Sequence, residues 1–321
     1  MKPFRSGFAK EIQEFIAYRK FSGVWNEGYE RSLSLFDSFC AKNYPENAPI
    51  NQEMIDRWSA KHEKEKNVSR NCRIRALVAF IRYLRQRGLS DVTEPIKMKP
   101  EPSTYVPHAF TEDELRKFFE ACDNIPVKDG YASLIKHMTC PVLFRLLYSS
   151  GIRTTEARYL KRKDFDREHG VLNIQKGKGY DQHYVALHAS MTELLAKYDD
   201  AIDKVQPDRE YLFQGPNGEF RTRRWLTSVF KEIWNEANGN SQKVIPYELR
   251  HHYAVVNINN WTGGQGFEFN DHLLYLSKSM GHKRIESTLV YYSLVPSLAD
   301  TILEKTEEGF NEIVPEVRYE E

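Results

Sequence analysis

Four prolines, Pro95, Pro100, Pro102 and Pro107, fall within thirteen residues, and this stretch constrains the fold more than any other. Proline fixes φ and lacks a backbone donor, so no regular helix crosses the stretch and an extended connector results. The chain is thereby divided into an N-terminal domain over residues 1–94, a linker over 95–109 and a second domain from residue 110. A length of 321 residues fits two domains. Directly after the linker, Thr111-Glu112-Asp113-Glu114 has the spacing of a capping box and is followed by Leu115, Phe118, Phe119 and Cys122 at helical period. The second domain therefore opens on a helix.

Before the linker, helical patterns run over about Phe8 to Tyr18, Tyr29 to Lys42, Gln52 to His62 and Ser69 to Arg87, which predicts a small all-helical unit. Beyond it, Gly170 to Gln175 and His183 to Leu187 read as two short strands around the turn Lys176-Gly177-Lys178-Gly179-Tyr180-Asp181. Helical patterns resume at about Met191 to Lys204, Arg223 to Asn238, Tyr247 to Asn257, His272 to Met280 and Arg284 to Tyr292. The expected class is mainly α with a small β-hairpin or sheet (α+β). Gly263-Gly264-Gln265-Gly266 reads as a loop, because no strand precedes it and no Lys-Ser/Thr follows.

Several classes are excluded. An apolar content of 40%, or about 45% with glycine, lies within the globular range. The longest uninterrupted apolar run, Ala76 to Ile81, is far below the roughly 18 residues of a membrane span. The first residues, Met1-Lys2-Pro3-Phe4-Arg5, lead into charged Lys10, Glu11 and Glu14 without the apolar core of a secretory signal, which predicts a cytoplasmic protein. Cys40, Cys72, Cys122 and Cys140 match neither zinc knuckles nor a redox pair and read as reduced, mostly buried thiols.

Net charge is only +1, yet it is unevenly placed: residues 1–100 carry 19 Lys and Arg against 12 Asp and Glu. Between Arg57 and Arg87 ten basic residues face two acidic ones. In that segment Ile74, Leu77, Val78, Ile81 and Leu84 form one helical stripe, leaving basic residues on other faces. Arg57, Lys61, Lys64, Lys66, Arg70, Arg73, Arg75 and Arg82 are accordingly candidates for binding a polyanion. Residues 301–321 hold seven acidic and two basic residues. The segment 297–321 is disfavoured at phosphate backbones and is expected to form a helix that contacts a neighbouring subunit.

Five separated elements remain: Gly151-Ile152-Arg153-Thr154-Thr155-Glu156, the Gly177-Lys178-Gly179 turn, Tyr247-Glu248-Leu249-Arg250-His251, Met280-Gly281-His282, and Tyr291 nine residues later. Their order and spacing resemble those of the tyrosine recombinases, or phage-type integrases. The resemblance runs from about Val106 to Tyr292 and includes a helical DNA-clamping domain placed before the catalytic one, which would span residues 110–296. It implies Arg153 and Arg250 as catalytic arginines, Lys178 as the hairpin lysine, His282 as the third-box histidine, Tyr291 as nucleophile and Glu156 as a supporting acid. Tyr247 departs from the pattern, standing where the family most often has histidine, and this weakens any assignment of a general base there. The resemblance also implies a tetramer on two double-stranded DNA sites, a 3′-phosphotyrosine and a Holliday junction, with accessory DNA-bending or directionality factors as further partners.

The chemistry can be argued from the side chains. Two guanidiniums suit the extra charge on a phosphodiester's non-bridging oxygens in the transition state. A tyrosine attacking phosphorus stores the bond energy needed for rejoining, and a lysine can protonate the departing oxygen. No cofactor or metal is called for, and neither is ATP. Two alternatives stay open: a type IB topoisomerase, which relaxes DNA as a monomer, and a DNA-binding protein that has lost catalysis, against which the retention of Arg153, Arg250, His282 and Tyr291 argues. Between Tyr291 and Tyr292, spacing from His282 selects Tyr291. The stripe Ile285, Leu289 and Tyr292 at i, i+4, i+7 is expected to turn Tyr292 into the core and leave Tyr291 about 100° away.

Overall fold

The computed structural model describes residues 3–102, 105, 107–175, 182–240, 243–262 and 269–291. The chain forms two compact units, Met1–Tyr105 and Val106–Glu321. The first contains helices α1 (Ala9–Phe21), α2 (Glu27–Asn43), α3 (Gln52–Ser59) and α4 (Asn67–Gln86), with no strand among its described residues. Asn26 and Asn51 cap α2 and α3 by accepting from the backbone N–H of Gly28 and Met54. All five stripe residues of α4 are buried, and Leu77, Ile81 and Leu84 share a core with Phe8, Ile12, Phe15, Leu33, Phe36 and Phe80. Residues 96–99 of the proline-rich run lie along α4, where Asn71 brackets Met98. Its Nδ2 donates to the Met98 carbonyl at 2.7 Å and its Oδ1 accepts from the Met98 N–H at 3.1 Å.

The second unit is mostly helical with one small sheet. Its helices are α5 (Glu112–Asp123), α6 (Tyr131–Ser150), α7 (Thr154–Tyr159), α8 (Ala189–Asp203), α9 (Arg223–Asn238), α10 (Glu248–Thr262), α11 (Phe269–Ser279) and α12 (Glu286–Leu289). The Thr111 capping box is formed: Glu114 N–H donates to Thr111 Oγ1, and Thr111 N–H donates to Glu114 Oε2. Strands β1 (Phe165–Asp166), β2 (Val171–Ile174) and β3 (His183–Ala186) form an antiparallel sheet in that order, with Ile174 opposite His183. The sequence pattern foresees β2 and β3 but not β1. Phe118, Phe144, Phe230 and Trp234 pack together in this unit's core, Phe230 stacked on Trp234 and Phe118 edge-on to Phe144. Cys40, Cys122 and Cys140 are buried thiols, whereas Cys72 is exposed. Among the described residues no helix is long and apolar enough to cross a membrane.

Candidate active site

Two glycine turns bring the motif residues together. Helix α6 ends at Gly151, which adopts φ +63°, a left-handed conformation that glycine enters without the Cβ penalty. The chain then turns into Arg153 at the start of α7. There Glu156, three residues on, accepts from the backbone N–H of Arg153 at 2.7 Å and from its guanidinium at 2.6 Å. The Gly-x-Arg-x-x-Glu spacing thus records a turn, a helix start and a buried carboxylate that fixes the arginine. A second glycine, Gly281 at φ +62°, closes α11: its N–H donates to Lys278 O, and the His282 N–H donates to Ser277 O.

The two arginines meet at that second turn. Arg153 donates to the Gly281 carbonyl at 2.7 Å. Arg250, only 2% exposed, donates to Gly151 O at 2.6 Å, to Met280 O at 2.7 Å and to His282 Nε2 at 2.9 Å. Because Nε2 accepts there, the His282 proton sits on Nδ1 and is donated to Thr288 Oγ1 at 2.7 Å. Burial, and then the neighbouring charge of Arg153, pull the Arg250 guanidinium below its ordinary value. Burial and the same two arginines, Arg250 before Arg153, hold His282 down at about 4.

Tyr291 completes the cluster. It stacks on His282, with ring centroids 6.3 Å apart and planes 13° apart, and its Oη lies 3.1 Å from His251 Nδ1. Burial pushes its phenol above the ordinary value, against the opposing pull of Arg250. The expected orientation of this turn is overturned. Tyr291 is 5% exposed and packs with Ala254, Ile258, Leu276 and Met280, whereas Ile285 and Leu289 are 40% and 44% exposed. Helix α12 is a single turn that tightens into a 3₁₀ turn at residues 290–291, so a regular 100° step does not carry through it. Tyr292 lies outside the described residues.

Tyr247 precedes α10 and packs edge-on against His251, centroids 5.0 Å apart. Lys178 and the Gly263 to Gly266 run lie outside the described residues, as does the segment 297–321. The base of the hairpin is described: the His183 ring lies against Gly281, and Gln182, His183, Tyr184, Lys278, His282 and Lys283 line a cleft there. Among the described residues no three His, Cys, Asp or Glu side chains are grouped to hold a metal ion. The residue that sequence reasoning passed over is His251. Its signal was its place directly after Arg250 in the Tyr247 to His251 element, four residues beyond Tyr247.

The basic candidates of the first unit are not equivalent. Arg70 is buried, with its guanidinium donating to Ser59 O and Ile96 O. Arg73 is held by Glu65 and by the carbonyls of Trp58 and Ala60. Arg57 pairs with Glu53, Lys61 with Glu101 and Arg82 with Glu94. Lys64, Lys66 and Arg75 are exposed.

The profile of the phage integrase family matches residues 108–296, more than half of the chain. The chain belongs to that family. Curated relatives agree: it is 24% identical over 292 residues to the tyrosine recombinase XerC of Lactobacillus leichmannii, covering 87% of this chain and 92% of that one. It is 23% identical over 283 residues to the tyrosine recombinase XerA of Pyrococcus furiosus, covering 87% and 88%. Its fold resembles that of the Tn1549 transposon integrase solved with transposon right-end DNA, with a TM-score of 0.62 and 15% identity over 92% of this chain and 99% of the other. It also resembles the XerH site-specific recombinase bound to a palindromic difH substrate, with a TM-score of 0.60 and 19% identity over 95% and 90%.

Proposed function

We propose that this tyrosine recombinase is an active site-specific enzyme that cuts and rejoins DNA strands through a 3′-phosphotyrosine at Tyr291. One observation carries the reading: residues as far apart in sequence as Arg153 and Tyr291 converge on a single buried turn, with Arg153 on Gly281 O and Arg250 on Met280 O and His282. A retained sequence motif without chemistry would not require a guanidinium buried among backbone carbonyls. Among the described residues, the buried Arg250 Nε has no hydrogen-bond partner, which suits a donor aimed at an anion.

In this reading the scissile phosphate docks on Arg153 and Arg250, which stabilise its oxygens as negative charge builds. Tyr291 Oη attacks phosphorus, the 5′-oxygen leaves with a proton supplied by Lys178, and a second DNA 5′-hydroxyl later reverses the step. Cationic side chains carry the electrostatic work, so cleavage is expected to survive excess EDTA. Strand exchange then proceeds within a tetramer on two sites, through a Holliday junction.

Sequencing the DNA junctions formed in cells expressing the protein yields the target. A nicked duplex carrying that sequence should then trap a covalent adduct that maps to Tyr291 and is lost in Tyr291→Phe. An adduct mapped to Tyr292 would move the nucleophile. The absence of both adduct and junctions would sink the reading, and relaxation of supercoiled DNA without exchange between two marked sites would favour a topoisomerase.

A further inference from the structure

Position 247 carries tyrosine, and a neutral phenol is a far weaker proton acceptor than an imidazole. The attacking Tyr291 nonetheless needs an acceptor, and the cluster supplies few. Both ring nitrogens of His282 are committed, Nε2 to Arg250 and Nδ1 to Thr288. Both arginines are donors only. Among the described residues the imidazole nearest the phenol oxygen is that of His251: its Nδ1 lies 3.1 Å from Tyr291 Oη, with the rings 5.5 Å apart and tilted by 51°. We propose that His251, one turn beyond the tyrosine that replaces the family's usual histidine, is the general base of strand cleavage and takes the Tyr291 proton on Nδ1. This rests on the recombinase reading above.

Atoms and charge balance in this step. Tyr291 Oη forms a bond to phosphorus as the bond from phosphorus to the 5′-oxygen breaks. The Oη proton passes to His251 Nδ1, and the leaving oxygen takes a proton from the acid on its own side. On rejoining, protonated His251 returns its proton to Oη as the phenol departs. Around the imidazole stand Arg250 on its own helix, Tyr247 just before that helix and Tyr291 from the turn after α12. Burial and Arg250 hold it at about 4, so near pH 7 it is neutral and able to accept. A weak base suffices, because the Oη proton becomes strongly acidic once oxygen begins to bond to phosphorus. The incoming phosphate's negative charge also raises the imidazole's basicity.

Two measurements test this. In the DNA-free full chain, nitrogen-15 NMR of the histidines, assigned against His251→Asn, should show neutral His251 with its proton on Nε2. A proton on Nδ1 would make the ring a donor to the phenol and overturn the proposal. On the nicked duplex carrying the recovered junction sequence, His251→Asn preserves an acceptor at the Nδ1 position but cannot take up a proton. It should bind DNA like wild type yet form the adduct about 100-fold more slowly, the lower end of general-base effects, and imidazole in solution should speed His251→Gly. A sulfur in place of the 5′-bridging oxygen removes the need for a proton on the leaving side, so it should not rescue His251→Asn. A wild-type rate in His251→Asn, or rescue by that sulfur, sinks the proposal and leaves the recombinase reading standing. A wild-type chain that forms no adduct defeats the recombinase reading itself.

Discussion

His251 and His282 are half-buried in the field of Arg250, and both are depressed from 6.5 to about 4. A histidine whose folded value is lowered binds fewer protons folded than unfolded, so its stabilising contribution is complete above about pH 6.5 and is lost as pH falls towards about 4. The DNA-free chain should therefore show a melting temperature that drops across this window, and His251→Asn should flatten part of the slope in thermal melts at stepped pH. An equal slope in the variant would show that His251 titrates as freely in the folded chain as in the unfolded one. DNA reverses the sign for binding: phosphate raises both histidines, so affinity should increase on acidification while cleavage declines. At this scale the sequence pattern exposes Arg153, Arg250 and His282, because glycine breaks and fixed spacing mark them. It conceals His251, whose role depends on how a short irregular turn folds Tyr291 back onto α10.

Elements were legible where amphipathic periodicity was undisturbed, as in α4, α5 and α9. Helix α6 is harder to read, since Pro141 lies inside it and its mostly apolar run lacks a polar face; burial against α5, α8 and α10 holds it together despite the missing donor. Strand β1 is only two residues long and exists by pairing with β2, a non-local condition that no local pattern records. The glycine turns are where element geometry and site geometry coincide. A Cβ at Gly281 would meet the His183 ring at 2.5 Å and would also have to be held at φ +62°. Gly281→Ala should cost at least about 1–2 kcal/mol for the left-handed conformation. It should also displace the carbonyl that holds Arg153 and the ring that seats the hairpin. Adduct formation is expected to fall further than DNA binding; equal losses in both would show that the turn serves folding alone.

Charge asymmetry was visible from composition, but which cations are available was not, because ion pairs depend on the fold. Of the eight basic candidates in the first unit, Arg70 and Arg73 are spent on backbone carbonyls or Glu65, and Arg57, Lys61 and Arg82 have carboxylate partners. Removing Arg70 or Arg73 would strip the hydrogen bonds that tie α4 to the carbonyls of Ser59, Ile96, Trp58 and Ala60 and weaken the unit itself, which makes either a poor probe of DNA binding. Lys64, Lys66 and Arg75 are exposed and carry no ion pair among the described residues. If the first unit grips the duplex backbone through these three, replacing all of them with alanine should leave the melting temperature nearly unchanged. The slope of log affinity against log salt should become shallower by about 0.9 for each phosphate that is no longer neutralised. Arg82→Ala should change that slope less, since Glu94 already neutralises its guanidinium in the free chain. A slope unaffected by the triple change would remove this face from the DNA interface and shift the electrostatic grip to the second unit, where Lys278 and Lys283 border the cleft beside Gly281 and His282.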